Sequence, residues 1–226
     1  MATEPENDTE VTQNGISFVE RVMSKYPDVL FQIQPQQLLE YFFLFSLKVL
    51  NGKEPLPKGA AADFWVCFSC TPSTHPILRL YMPHHPFTNQ YHDQSAFISL
   101  KPTQTSASPN CSPEQLQQFI SSAMENTLGP LVAQSLMQNI GGNAARSELD
   151  KLSDPLKKLI TNQLHAQRWL EAALCREDFP GNKCVGETEK MLFLKKVVGL
   201  RGARQTNQVV REFWMACRGS NFAYAS

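Results

Sequence analysis

Apolar residues recur along this chain at intervals of three and four, which is the repeat of an amphipathic helix. One such series runs through Leu149, Leu152, Leu156, Leu159 and Ile160. The alternation typical of strands is nearly absent, and its two weak instances are short segments at 77–81 and 96–100. Because the period of the apolar pattern largely decides the fold class, the sequence predicts an all-α protein.

Local signals predict where several helices begin and end. A helix over 36–50 follows Pro35 and stops at Asn51 and Gly52, and a later one stops at Gly141 and Gly142. Apolar residues cover most of the circumference of the helix over 36–50, so we expect it to be buried on several sides. Proline lacks a backbone N–H, so Pro130 and Pro155 are expected to break or kink their helices.

Composition divides the chain into four segments. Residues 1–15 are polar and acidic and are predicted to be a disordered tail, whereas 16–70 are predicted to form helical repeats. Six prolines and four of the five histidines punctuate 71–112, which is expected to be an irregular Pro/His/Ser-rich loop or insertion. Helical patterns resume over 113–226, the predicted C-terminal helical repeats.

The predicted helices come in pairs. These pairs cover 36–50 with 57–70, 147–163 with 164–176, and 187–201 with 204–218. Pair starts near 113, 147 and 187 give a period of roughly 35 to 40 residues, which is typical of HEAT and armadillo repeats. The expected architecture is therefore a fragment of an α-α superhelix with a long irregular insertion. Since no strict motif recurs, an irregular helical globule remains an alternative.

Charge and hydropathy exclude several classes of protein. The chain has 21 basic and 21 acidic residues, so it lacks the basic excess by which nucleic-acid-binding proteins neutralise phosphates. Its longest apolar stretch, 38–50, is shorter than the roughly 20 residues that cross a bilayer. The start resembles no secretory signal, and the six cysteines are expected to be reduced, mostly buried thiols. We therefore expect no direct nucleic-acid binding and no membrane insertion.

Candidate catalytic and metal-binding residues are few. Cys67 and Cys70 form a Cys-x-x-Cys, and four histidines that could add ligands follow at 75, 84, 85 and 92. Against a metal site, the cysteines fall on a predicted helix and the histidines lack regular spacing. No nucleophile motif or phosphate-binding loop is present, so we predict neither an enzyme nor a cofactor. Trp65, Trp169 and Trp214 fall on apolar helix faces and are expected in the core.

Basic residues predominate from 183 to 218. Lys195, Lys196, Arg201 and Arg204 form the densest group and are the candidate partner-binding residues. An electropositive surface of this kind would steer an acidic protein partner. The alternative interpretation is that these are solvated outer faces and cations placed at helix C-termini.

Several segments resemble the C-terminal HEAT repeats of the importin-β (karyopherin-β) superfamily, most nearly the branch of importin thirteen and transportin three. They are Leu131-Val132 through Ile140-Gly141-Gly142, Ala145-Arg146-Ser147 with Leu149, Trp169 through Leu174, Phe179-Pro180, Val209 through Phe213, and Cys217-Arg218-Gly219. Leu56-Pro57-Lys58 and Ala60 through Trp65 also look like a helix opening in those receptors. The resemblance is absent between 71 and 112, where this lineage has either its own loop or a faulty reading of the gene.

The resemblance implies a nuclear transport receptor that moves protein cargo between nucleus and cytoplasm under control of Ran-GTP. The residues present match the cargo-embracing C-terminal arch, whereas Ran binding needs N-terminal repeats that this chain lacks. Nucleoporins are further partners that the resemblance allows. Two other hypotheses remain: a helical-repeat scaffold for protein–protein interaction unrelated to transport, and a small enzyme or metal protein built around the His/Cys segment.

Overall fold

The computed structural model describes residues 8–35, 37–70, 113–200 and 202–219. Its α-helices are α1 (Thr9–Lys25), α2 (Pro27–Phe31), α3 (Gln37–Leu50), α4 (Pro55–Cys70), α5 (Pro113–Ala123), α6 (Gly129–Gln138), α7 (Leu149–Asn162), α8 (Ala166–Leu174), α9 (Glu187–Gly199) and α10 (Ala203–Cys217). Over those ranges the chain forms no strand, which confirms the all-α prediction. None of the helices described is long and apolar enough to cross a membrane.

The helices pack in two ranks. In the first rank α1 packs against α4, α4 against α7, and α7 against α10. In the second rank α3, α6, α8 and α9 contact one another in that order. Contacts of α3 with α4, α6 with α7 and α9 with α10 join the ranks and enclose one continuous apolar core. This layered packing is that of a helical-repeat solenoid, as the sequence predicted.

The pairing of neighbours is less regular than the sequence suggested. The segments 147–163 and 164–176 were expected to pair, but α7 packs mainly against α4 and α10 while α8 packs mainly against α6. Leu149, Leu152 and Leu156 of α7 are fully buried. Contacts between helices far apart in sequence therefore define the two ranks.

The prediction that residues 1–15 form a disordered tail is wrong for residues 9–15, which belong to α1. The Asp8 carboxylate caps the helix by accepting hydrogen bonds from the backbone N–H groups of Glu10 and Val11, at 3.0 and 3.1 Å. Thr12 and Ile16 are buried one and two turns further on. A cap and a buried face are thus present in a segment whose composition alone suggested disorder.

Pro130 and Pro155 do not interrupt their helices. Before Pro130 the chain widens into a π-helical turn, Met124–Leu128, in which the N–H of Gly129 bonds to the carbonyl of Met124. In an α-helix a proline ring clashes with the carbonyl four residues earlier. The wider π-helical turn accommodates the ring, so α6 follows α5 without a break. Pro155 lies buried inside α7. The predicted helix stop at Gly141 and Gly142 is confirmed, because Gly142 has a φ of 153° in the turn that follows α6.

A polar network joins the N-terminal and C-terminal parts of the described chain. The buried amide of Asn139 donates to the carbonyl of Leu50 at 3.1 Å and to that of Ser135 at 2.9 Å. The amide of Asn51 in turn donates to the Ser135 hydroxyl at 3.0 Å. The bond to Leu50 satisfies a carbonyl at the end of α3, and the network fixes that end against α6.

Two helical glycines should respond oppositely to alanine. A Cβ on Gly129 would lie 2.4 Å from the Trp169 ring and 2.5 Å from the Met124 carbonyl oxygen, whereas one on Gly59 would meet nothing within 4 Å. We expect Gly129→Ala to lower the free energy of unfolding by about 1 to 3 kcal/mol through overpacking. Gly59→Ala should raise it by roughly 0.5 to 1 kcal/mol through helix propensity. Urea unfolding measures both, and equal effects of the two substitutions would contradict the packing at Gly129.

Candidate partner-binding surfaces

The basic residues singled out in the sequence meet near the junction of α9 and α10. Lys195 and Lys196 are exposed in the last turns of α9, and Arg204 is exposed in the first turn of α10. Arg201, the fourth candidate, lies outside the described residues. Among ion pairs between described residues, none involves the other three. We call Lys195, Lys196 and Arg204 the basic surface.

Other basic side chains of the 183–218 region differ from the basic surface because they have partners within the protein. Lys190 is buried, donates to the Asn182 side chain and lies 4.9 Å from the centre of the Phe179 ring. Arg211 is paired with Asp150 on α7. These side chains serve the packing of α9 and α10, so the sequence overstated the number of cations available to a partner.

Arg218 ties the end of α10 to the turn after α6. Its guanidinium donates to the carbonyls of Gly142 and Ala144 at 2.8 and 3.0 Å and lies 4.3 Å above the Trp214 ring. Trp214 is only half-buried, and its indole N–H donates to Ala144 at 2.9 Å. It was expected in the core with Trp65 and Trp169, which are buried. Trp214 instead forms a stacking contact at the edge of the core.

Electrostatics differ across the junction that carries the basic surface. The lysines of α9 lie near a helix C-terminus, where cations offset the partial negative charge of the helix dipole. Arg204 has the opposite placement, in the first turn of a helix with no acidic residue there and no side-chain cap at Gly202. Helix stability therefore does not account for Arg204, and its positive charge adds to that of the helix terminus. The junction favours anionic groups such as carboxylates of a partner.

A buried ion pair that sequence analysis missed connects α4 to the start of α7. Lys58 Nζ lies 3.1 Å from the Glu148 carboxylate, and both side chains are buried. The other oxygen of Glu148 accepts a hydrogen bond from the Ala145 N–H at 2.6 Å. Lys58 lies in a largely apolar segment just before Ala60 and Ala61. A lysine in such a segment is seldom buried without a counter-charge, and this is the one sequence signal that could have indicated the pair.

A second exposed surface is apolar and belongs to α3. This helix was expected to be buried on several sides, but Leu38, Tyr41 and Leu44 are exposed along one face. Its opposite face, with Leu39, Phe43 and Leu47, is buried against the core. Beside this stripe a cleft of about 190 Å³ opens between the start of α1, the end of α3 and the start of α4. Exposed apolar stripes of this kind are typical of protein contact surfaces.

The cysteines are free wherever they are described, but fewer are buried than expected. Cys217 is buried, Cys67 is half-buried, and Cys70, Cys175 and Cys184 are exposed. Burial raises the pKa of the Cys217 thiol to about 12 and that of Cys67 to about 11, so both stay protonated at neutral pH. Within the described ranges no three His, Cys, Asp or Glu side chains cluster as metal ligands. The histidines at 75, 84, 85 and 92 lie outside those ranges.

Comparison with known proteins yields two partial similarities. The chain is 36% identical over 91 residues to the importin beta-like protein kap111 of Schizosaccharomyces pombe, covering 40% of this chain and 9% of that protein. It is 27% identical over 93 residues to importin-13 of Gallus gallus, covering 40% of this chain and 10% of that protein. The matched region thus spans about a tenth of the length of these relatives. No protein-family model matches the chain. The two similarities, together with the ranked helices, support a relationship between this chain and the importin-β superfamily.

Proposed function

We propose that this chain is part of a nucleocytoplasmic transport receptor and contributes a surface for protein cargo. The observation that carries the proposal is the similarity to two importins in a chain folded as stacked helices. A curved stack offers a large surface for a protein partner and needs no reaction centre. The protein is accordingly not an enzyme in this proposal, and it acts in both nucleus and cytoplasm.

The finer part of the proposal places the chain in the branch of importin thirteen and transportin three, within the C-terminal cargo-binding repeats. Release of cargo is then controlled by Ran-GTP, whose contacts lie on repeats outside this chain. Nucleoporins are the partners expected during passage through the pore. Support for this part is the set of matching segments from Leu131 to Gly219, which includes the turn at Gly141 and Gly142.

The cell fraction from which bound proteins come separates transport from its alternative, a helical-repeat scaffold unrelated to transport. Purified chain is immobilised and exposed to separate nuclear and cytoplasmic extracts, and the bound proteins are identified by mass spectrometry. Transport predicts that proteins of the nuclear fraction predominate and that the tagged chain is found in both compartments. A tagged chain confined to the cytoplasm, with no nuclear protein bound, would instead favour the scaffold.

Within this function we propose that the basic surface contacts acidic segments of the partner. The double substitution Lys195→Glu/Lys196→Glu should weaken binding of an Asp/Glu-rich peptide about ten-fold at low salt. Two exposed charge contacts of roughly 0.5 to 1 kcal/mol each give this factor. Since salt screens exposed charges, the difference should nearly vanish at about 1 M salt, where the Debye length is about 3 Å. Fluorescence anisotropy measures both conditions.

A matched control is available at the other end of the described chain. Lys25→Glu/Lys53→Glu changes the net charge by the same amount at exposed positions on α1 and on the loop before α4. This control should leave peptide binding within about two-fold of the original, because α1 and α10 stand at opposite ends of the first rank and salt screens distant charges. If both double variants weakened binding equally, net charge rather than the basic surface would be the cause.

A further inference from the structure

Two cysteines that are far apart in sequence, Cys184 and Cys217, lie at one junction of the fold. Cys184 follows the 3₁₀ turn Pro180–Lys183 that precedes α9, and Cys217 is the last residue of α10. A Cβ built on Gly181 would lie 2.6 Å from the Cys217 sulfur, so this sulfur packs against the turn. The N–H of Cys184 bonds to the carbonyl of the same Gly181 at 3.0 Å. The two cysteines therefore have one short turn of backbone as a common neighbour.

The end of α10 packs against Cys184 in the same way. A Cβ built on Gly219 would lie 3.3 Å from the Cys184 sulfur, and Gly219 comes two residues after Cys217. Gly219 has a φ of 62°, in the left-handed region that favours glycine and is common just after a helix. Each sulfur thus packs against a glycine that lies beside the other cysteine. The contacts are reciprocal and hold the two thiols close together.

The electrostatics of Cys217 agree with this arrangement. Burial is the main cause that raises the pKa of Cys217 to about 12, and negative charge on Cys184 raises this pKa further. The second effect requires proximity, because the interaction between two charges weakens with distance. The Lys190 ammonium lowers the pKa of Cys217 and so favours its thiolate. Cys184 is exposed whereas Cys217 is buried, so an oxidant in solution reaches Cys184 first.

Cys67 and Cys70 form the more obvious pair in the sequence, but α4 holds them apart. Residues three apart on a helix have Cβ atoms roughly 5 to 6 Å from each other, whereas a disulfide needs about 3.5 to 4.5 Å. A bond between them would distort the last turn of α4. Cys184 lies outside the helices, so a small shift of its turn brings its sulfur to Cys217 without breaking a helix.

We propose that Cys184 and Cys217 form a reversible disulfide in the presence of a peroxide, and that this bond fixes the end of α10 to the turn before α9. Hydrogen peroxide oxidises the Cys184 thiol to a sulfenic acid and is itself reduced to water. The Cys217 sulfur then attacks the sulfenic sulfur and the S–S bond forms. The hydroxide that leaves takes up the Cys217 proton as a second water. Disulfides of this transient, redox-sensing kind are those found in reducing compartments, where thiols break them again by exchange.

The bond closes the loop from 184 to 217, which contains α9, α10 and the basic surface at their junction. Closing a loop restricts the unfolded chain and so stabilises the folded state. Oxidation should therefore raise the Tm by roughly 5 to 10 °C, and a thiol reductant should reverse the rise. The inference is independent of the transport proposal, since it concerns only how the last two helices are held.

Peptide mapping after oxidation tests the pairing. The chain is treated with hydrogen peroxide, the remaining thiols are alkylated, and the protein is digested with trypsin without reductant. Cleavage after lysine and arginine places Cys175, Cys184 and Cys217 on separate peptides. We expect the peptide 184–190 linked to the peptide 212–218, with the mass of the two together less two hydrogens. Dithiothreitol should separate them.

Serine variants test the order of the two steps. In Cys217→Ser the reaction should stop at the sulfenic acid of Cys184, which dimedone traps, and in Cys184→Ser the buried Cys217 should stay reduced. Neither variant should show the rise in Tm, whereas Cys175→Ser, at another exposed cysteine, should keep both the linked peptides and the rise. Circular dichroism checks that all three variants are folded. The proposal would be overturned if the original chain gave no linked pair, or if either cysteine bonded mainly to a different one.

Discussion

Replacing Lys58 with methionine is expected to lower the free energy of unfolding by about 3 to 5 kcal/mol, the cost of breaking a buried ion pair. The loss is large because the Glu148 carboxylate then stays buried without its counter-charge. Glu148→Gln should be costly for the same reason, since it leaves the Lys58 ammonium buried, although glutamine still accepts the Ala145 N–H. Urea unfolding measures each change as a shift in the transition midpoint at constant slope.

The chain offers a matched control for this pair. Lys151 and Asp63 also join α7 to α4, with the nitrogen and oxygen 3.0 Å apart, but their side chains are 56% and 48% exposed, against 4% and 9% for Lys58 and Glu148. Solvent screens such a pair, so Lys151→Ala should cost at most about 1 kcal/mol. The double variant Lys58→Met/Glu148→Gln removes both charges and should recover much of the loss. Similar costs for Lys58→Met and Lys151→Ala would show that the first pair is not desolvated.

Phe68→Ala should be among the most damaging truncations in the apolar core, at about 3 to 5 kcal/mol. Phe68 is fully buried, and its ring lies edge-on to that of Phe43 at 5.1 Å and to that of Trp65 at 5.5 Å. Removing it leaves a cavity between α3 and α4 that the other rings cannot fill without changing rotamer. The free energy of unfolding from urea titration, taken with circular dichroism and with tryptophan fluorescence, gives the cost.

Phe18→Ala provides the comparison, because the same atoms are removed from a ring that is 67% exposed. Its effect should stay within about 0.5 kcal/mol. The contrast depends only on burial, since both residues lie in helices. Comparable losses at the two positions would mean that Phe68 is not enclosed as the structure has it.

Helix boundaries were predictable wherever a local signal decides them. The expected helix over 36–50 is observed as Gln37–Leu50, and those over 187–201 and 204–218 as Glu187–Gly199 and Ala203–Cys217. A helix stop depends on groups within a few residues, such as a glycine free to adopt positive φ. The errors arose where a local signal competes with packing. Pro130 was accommodated by a π-helical turn, and the acidic composition before residue 16 masked the cap at Asp8.

Part of the candidate site was predictable for the same reason. Lys195, Lys196 and Arg204 were found from charge density alone, and all three are exposed. Charge density could not distinguish them from Lys190, Arg211 and Arg218, whose partners lie on other elements. It also gave no account of the apolar stripe on α3, because one face of a helix rich in apolar residues is covered and another is left open only after packing. Which side chains are exposed therefore depends on how the two ranks of helices pack.

By itself the sequence determined that the chain is helical and where most helices stop, because both follow from periodicity and from residues close together in the chain. Its resemblance to the importin-β superfamily was carried by the matching segments between Leu131 and Gly219. Only the tertiary structure decided that α7 lies between α4 and α10, that Lys58 meets Glu148, and that Phe18 on α1 stays exposed. The physical reason is that burial depends on contacts between residues far apart in sequence. An apolar pattern in the sequence indicates which face of a helix can be buried, and packing alone determines which element buries it.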